Sequence, residues 1–309
     1  MKKPRSAPAR PLSLLWPAVI PALLLAAAPP AAAKASRCTK GLDLKQEEIS
    51  PGITSMTESC LTPLYKAFLV KIDLTSAAFE FFTSPKAMLY KTVKAFAEDT
   101  GSVVAVNGGF YDKYYGGFFK TGGKKMGKFT DNEVSTVMAI GRGDGGKPRF
   151  TIFPPEQIVT DGSLPAWADD AVTGIPYLVD GGKAVGKFPN ETIWTQRHPR
   201  TGVGFAQDQS WLIFAVVDGR RPEYSKGMTI DQWTTFFIEH DAWTALNLDG
   251  GCSSTLFIKD KGGIVNDPCK PKGEERKVHD AIGVVLKKKG TAASLWNRLI
   301  AAGLRRLLG

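Results

Sequence analysis

The stretch that most constrains this chain is Leu246-Asn247-Leu248-Asp249-Gly250-Gly251-Cys252-Ser253-Ser254-Thr255-Leu256-Phe257-Ile258, in which two strand-like apolar runs flank a block of small and polar residues. Gly250 and Gly251 lack a Cβ, so the chain there can take positive φ and can let a ligand or a neighbouring strand come against the main chain. Asp249 is delivered at a strand end beside backbone amides and the Ser253, Ser254 and Thr255 hydroxyls. Such a set can orient a sugar or a water, and amides alone can hold an anionic oxygen. Asp-Gly is also a hairpin signal, so a tight turn is the plainer reading. The polar block is larger than a two-residue turn requires.

Three other segments share this grammar. Asn107-Gly108-Gly109-Phe110-Tyr111-Asp112 follows the apolar run Val103 to Val106 and reads alone as a turn. Val216-Val217-Asp218-Gly219-Arg220 again places a carboxylate and a cation at a strand end. Arg197-His198-Pro199-Arg200-Thr201-Gly202-Val203-Gly204 reads as a basic turn. It could form an anion clamp, since a guanidinium offers phosphate a planar fork; solvated surface charge is the alternative.

Residues 1–35 have the pattern of a secretory signal peptide: Lys2, Lys3, Arg5 and Arg10 precede an apolar stretch from Leu12 to Ala28, and small-x-small sites follow near Ala31 to Ala35. Pro17 and Pro21 interrupt the apolar run, which argues for cleavage over a retained span. Export to the periplasm or the extracellular space is expected. The net charge of +10 lies at the two ends: residues 1–35 hold five basic residues, residues 287–309 hold six, and neither holds an acidic one. The remainder carries 29 basic against 30 acidic residues, which removes the main support for a nucleic-acid partner. The even cysteine count in an exported chain suggests disulfides, and proximity favours Cys38–Cys60 and Cys252–Cys269.

Between residues 36 and 286 there is enough chain for one substantial core. Strand-like runs are Tyr65 to Leu74, Val103 to Val106, Val134 to Ile140, Trp211 to Val217, Ala245 to Leu248, Thr255 to Ile258 and Ala281 to Leu286. Helical periodicity is clearest over Lys91 to Glu98 and Thr229 to His240. Without regular βα alternation, this pattern predicts an α+β fold, a single domain around a mixed or antiparallel β-sheet with flanking helices. Residues 291–309 form a basic amphipathic helix in sequence, after a Lys287-Lys288-Lys289-Gly290 hinge. Docking on an anionic membrane surface and packing back on the domain both fit it.

Five motifs in order, Asn107-Gly108-Gly109-Phe110, Arg200-Thr201-x-x-Gly204, Val217-Asp218-Gly219-Arg220, Gly227-Met228-Thr229 and Asn247-Leu248-Asp249-Gly250-Gly251-x-Ser253-Ser254-Thr255, with Arg276 in register, resemble the phosphodiester glycosidase family. The chain departs from that pattern at Cys252, where a third glycine is usual, and at Gly202-Val203, where Ala-Ile or Ala-Val is usual. The resemblance implies hydrolysis of the glycosidic C–O bond of a sugar-1-phosphodiester, similar to an N-acetylglucosamine-1-phosphodiester, on a polysaccharide or glycan. It implies catalytic roles for Asp249, Asp218 and Arg200, and substrate binding by Asn107, Gly108, Thr201, Arg220, Gly250, Gly251, Ser253, Ser254 and Arg276. No cofactor is required. Two rivals remain: a non-catalytic module binding anionic polysaccharide, and a metal-dependent phosphodiesterase using Asp112, Asp218 and Asp249. Metal-ligand spacing is absent, and His198, His240 and His279 are the chain's three histidines.

Overall fold

The computed structural model describes residues 37–75, 79–110, 119–126, 136–154, 157, 164–186, 188, 191–268 and 274–287. The first half supplies β1 (Asp43–Ser50), β2 (Ile53–Leu61), β3 (Leu64–Asp73), β4 (Phe79–Thr83), helix α1 (Val93–Thr100), β5 (Val104–Asn107), β6 (Phe119–Thr121), β7 (Lys124–Met126), β8 (Thr136–Arg142) and β9 (Pro148–Phe153). There follow β10 (Ala168–Gly174), β11 (Tyr177–Asp180), β12 (Lys183–Ala184), a single turn α2 (Thr192–Thr195), β13 (Arg200–Phe205) and β14 (Trp211–Val217). Helix α3 (Ile230–Glu239), β15 (Thr244–Asn247), β16 (Leu256–Ile258), β17 (Gly263–Ile264) and β18 (Ala281–Leu286) complete the order.

The expected single sheet is three. An eight-stranded sheet runs β1-β2-β3-β14-β13-β15-β11-β12, and two five-stranded sheets run β7-β6-β10-β8-β9 and β17-β16-β5-β18-β4. The ladders within these sheets are all antiparallel among the described residues, so the mixed alternative gives way to the antiparallel one. The fold is mostly strand with few helices.

Side-chain alternation sets the layers. On β14, Leu212, Phe214 and Val216 face a core shared by all three sheets, with Val70 of β3, Val106 of β5 and Ile140 of β8. Ile213, Ala215 and Val217 face the opposite way, onto Trp233, Phe236 and Phe237 of α3. Helix α3 starts at a capping box: Thr229 Oγ1 accepts from Gln232 N, and the Gln232 side chain accepts from Thr229 N. Helix α1 covers the outer face of the third sheet with Val93, Phe96 and Ala97.

The segment from Arg200 to Gly204 is no basic turn but the start of β13, a wholly buried strand in the middle of the large sheet. Its glycines hide it from a propensity reading. A Cβ on Gly202 or Gly204 would come within 2.8 Å of the Phe237 ring, so α3 packs flat against this strand because it lacks side chains there.

A disulfide joins Cys38 to Cys60. Cys252 is also disulfide-bonded; its expected partner, Cys269, lies outside the described residues. So do residues 1–35, Asp112 and the helix expected over 291–309.

Candidate active site

Strand register explains why distant motifs meet. β13 lies between β14 and β15 and runs antiparallel to both, with Arg200 opposite Val217 and Gly202 opposite Asn247. The first residue of β13 therefore sits beside the ends of β14 and β15, where Asp218-Gly219-Arg220 and Leu248-Asp249-Gly250 leave the sheet. In the third sheet, β5 ends at Asn107 between the starts of β16 and β18.

Asn107 stitches the two sheets together. Its Nδ2 donates to the Asp249 carbonyl at 2.6 Å, and its Oδ1 accepts from Thr201 Oγ1 at 2.9 Å and from Thr255 N at 3.2 Å. Asp249 N donates to the Gly108 carbonyl, and Leu248 N to the Thr201 carbonyl. Asn107, Thr201, Ser253 and Ser254 are buried behind the surface. The glycines make room for protein: a Cβ on Gly108 would overlap Asp280 Oδ1, and Cβ atoms on Gly219, Gly227 and Gly250 would fall within 3.0 Å of the His198-Pro199 backbone. Gly251, at φ +62, instead faces the Arg220 guanidinium.

The result is a cleft of about 190 Å3 lined by Asp249, Gly250, Gly251, Arg200, Arg220 and Arg276, with His198, Pro199, Asn247, Cys252, Trp194, Ile193 and Phe110 completing the wall. Of the residues the sequence marked for catalysis or substrate binding, those first six line the cleft, whereas Asn107, Gly108, Thr201, Ser253, Ser254 and Asp218 do not. Asp218 is buried, with Oδ1 accepting from Asn266 Nδ2 at 2.9 Å and Oδ2 from Asp267 N at 2.9 Å and Tyr224 Oη at 3.1 Å. Asn266 in turn accepts from Leu256 N and donates to the Ser254 carbonyl. Asp218 thus braces the Ser254–Leu256 segment from behind. Burial pushes its carboxyl up to about 6, against the pull of Asn266, Tyr224 and Arg221.

The cleft is electropositive. Arg200 is 3% exposed and gives its hydrogen bonds to carbonyls: Nε to Met228, and Nη2 to Ile193 and Gln196. Burial, and then repulsion from Arg220, bring it down to about 10, so it stays charged at neutral pH. No ion pair among the described residues includes Arg200 or Arg220. Arg220 holds φ +61, an uncommon conformation for a residue with a side chain, and its Nε donates to His198 Nδ1 at 3.3 Å. Burial and the two arginines depress His198, so its ring is neutral at neutral pH with Nδ1 as acceptor.

Asp249 is the cleft's one lining carboxylate among the described residues. Burial pushes it up to about 6, opposed by the nearby Ser253 hydroxyl and the charge of Arg276. Among the described residues its Oδ2 has no hydrogen-bond partner, and the same holds for Asn247 Oδ1, Ser253 Oγ, Ser254 Oγ and Thr255 Oγ1. The Ser253 hydroxyl lies near the carboxylate without a formed hydrogen bond to it. A concentration of unsatisfied buried polar atoms in one motif is uncommon, and it marks a site built for something other than stability. Among the described residues no three His, Cys, Asp or Glu side chains group as metal ligands would.

Of the other wall residues, Trp194 and Ile193 carry no signal in the sequence, and Phe110 only its place in the Asn107-to-Phe110 motif. His198 stood in the Arg197-to-Gly204 segment and the clamp idea pointed towards it. Trp194 and Ile193 belong to a four-residue helix with no motif.

The profile of the phosphodiester glycosidase family (NAGPA) matches residues 100–285. The chain belongs to this family of glycosidase-type hydrolases. Among solved structures, it is similar to the catalytic domain of zebrafish N-acetylglucosamine-1-phosphodiester alpha-N-acetylglucosaminidase auto-inhibited by its pro-peptide, with a TM-score of 0.57 and 18% identity over 81% of this chain and 86% of that one. A hypothetical protein from Synechocystis follows at TM-score 0.54 and 15% identity, covering 79% of this chain and 64% of that one. A putative exported protein from Burkholderia pseudomallei gives 0.50 and 15%, covering 72% and 74%. At these identities the likeness establishes the fold. No curated protein matches the sequence.

Proposed function

We propose that this protein is an exported hydrolase that breaks the glycosidic C–O bond of a sugar-1-phosphodiester, of the N-acetylglucosamine-1-phosphodiester kind, in a polysaccharide or glycan. The observation that carries the reading is the grouping of Arg200, Arg220 and Arg276 around Asp249 in one cleft. A phosphodiester is an acidic leaving group and needs little protonation, so cations matter more here than a general acid. Arg200 and Arg220 hold the phosphate oxygens and stabilise charge as it gathers on them, an electrostatic role preorganised by the carbonyls and the imidazole that fix the two side chains. Asp249, ionised, faces the anomeric carbon as it takes on oxocarbenium character. Trp194 and Phe110 offer apolar surface to the sugar ring. Asn107 acts indirectly, by fixing the Asp249 backbone.

Export is supported by the Cys38–Cys60 disulfide and by the signal-like segment 1–35. No helix among the described residues is long and apolar enough to cross a membrane.

The test is hydrolysis of an α-N-acetylglucosaminyl phosphodiester in oxygen-18 water. Label is expected in the released sugar. Label in the phosphate would mean P–O cleavage and would remove the glycosidase reading, and saturable binding with no sugar released would leave a binding module.

A further inference from the structure

Arg220 stands between two concavities. On one side is the cleft; on the other is an open groove of about 610 Å3 lined by Arg197, Arg221, Lys226 and Thr229 along with Thr195, Gln196 and Pro222. With Arg220 that makes four cations and no carboxylate in the lining. Glu223 belongs to the same turn but is exposed and outside it.

One of these charges, Arg221, is met within the fold, and among the described residues the others are not. Arg221 pairs with Asp267 and donates to the Pro268 carbonyl at 2.9 Å. Arg197 donates to a neutral amide oxygen, that of Gln232. Neither Arg197 nor Lys226 takes part in an ion pair among the described residues. Thr229 caps the N-terminus of α3, so the positive end of that helix lies at the same groove. Cations of one sign collected in a concavity raise the local concentration of anions and repel one another until one is bound.

We infer that this groove is a second anion subsite, one that takes the next phosphate of a phosphate-repeating leaving group. The inference rests on the cleft being where the sugar-1-phosphodiester reacts. The reacting phosphate lies against Arg200 and the inner side of Arg220; the chain then passes over Arg220, and its following phosphate meets Arg197 and Lys226. The substrate class is thus a polymer or oligomer with successive phosphodiesters on the leaving side, in preference to an isolated diester.

The experiment compares two synthetic substrates of the full-length protein at low ionic strength. One is the methyl diester of N-acetylglucosamine 1-phosphate. The other replaces methyl by a glycerol phosphate that carries a second, methyl-capped phosphodiester. The extended substrate is expected to have a KM roughly tenfold lower, since two partly exposed ion pairs contribute about that factor together, and the advantage is expected to shrink as salt is added. In the double variant Arg197→Gln/Lys226→Gln the advantage disappears while turnover of the methyl diester is unchanged. Lys226→Glu, at an exposed side chain, makes the extended substrate the poorer one. Equal KM values in the unmutated protein, or an advantage that survives the double variant, would overturn the subsite. If neither diester is turned over, the cleft reading fails. The groove is then decided by titration with a sugar-free, methyl-capped glycerol-phosphate oligomer: saturable binding lost in the double variant supports it, and no binding, or binding equal in the variant, removes it.

Discussion

Among the described residues two arginines are almost completely buried, and their surroundings are opposite. Arg37 lies under α3 with its Nε and Nη2 donating to both oxygens of Glu58 at 2.9 and 2.8 Å, and it also pairs with Glu239. Tyr65 donates to Glu58 at 2.5 Å, and His240 Nε2 lies 3.0 Å from it. Burial pushes Glu58 up, yet the bonds from His240, Arg37 and Tyr65 win and hold it at about 2. Arg37 is lowered by burial but raised overall by Glu58. Arg200 has only carbonyls and falls to about 10. A buried cation that serves the fold arrives with its counterion, because desolvation otherwise dominates. One whose charge is left to be met from outside marks where an anion enters.

The largest effect expected from breaking this contrast is at the cleft. Asp249→Asn should lower kcat/KM about 10²- to 10⁴-fold and Arg200→Ala about 10²- to 10³-fold, measured on the methyl diester, with folding confirmed by circular dichroism. Near-normal turnover in either would separate that residue from the reaction. At Arg37 the loss should appear in stability instead. Glu58→Gln leaves a buried guanidinium short of charge and should cost about 3 kcal/mol in urea unfolding, at the low end for a broken buried pair because Glu239 still reaches Arg37; kcat/KM in the folded protein should be kept.

The two regions also separate along the pH axis. Glu58, depressed to about 2, stabilises the fold fully above its ordinary value near 4.5, and that stability is lost as the pH falls towards 2. Asp249, raised to about 6, is protonated below that value, and a raised carboxyl favours the fold as the pH falls. Between about pH 4.5 and 6 the protein should therefore stay folded while activity declines, approaching tenfold per pH unit. The limb should persist in Asp218→Asn, since Asp218 has a similarly raised value but lies behind the cleft. Activity that falls only when tryptophan fluorescence reports unfolding would contradict this. A smaller effect sharpens the contrast: His198→Phe removes the acceptor that aims Arg220 and should lower kcat/KM roughly five- to tenfold, with most of the loss recovered by His198→Asn. Smallest of all, deleting residues 290–309 should leave turnover unchanged, and loss of anionic-liposome binding in that variant would assign the tail to a membrane surface.

The sequence by itself determined the strands that carry uninterrupted apolar runs, such as β3, β14 and β18, and the two main helices, because burial on both faces and 3.6-residue periodicity are written locally. It also marked Asp249, Arg220, Gly250 and Gly251, since a polar block between apolar strands has few other uses. It could not mark β1, whose residues are mostly exposed and which is held by pairing to β2, nor β13, whose glycines make sense only once Phe237 lies across them. Only the tertiary structure decided which polar residues reach the cleft. Asn107, Thr201 and Asp218 look in sequence as chemical as Asp249 does, and they lie behind it because register, not residue type, sets which side chains a strand end presents. His198 entered by the same route, carried there by a backbone turn that Gly219, Gly227 and Gly250 leave room for, and Trp194 came from the single helical turn just before it.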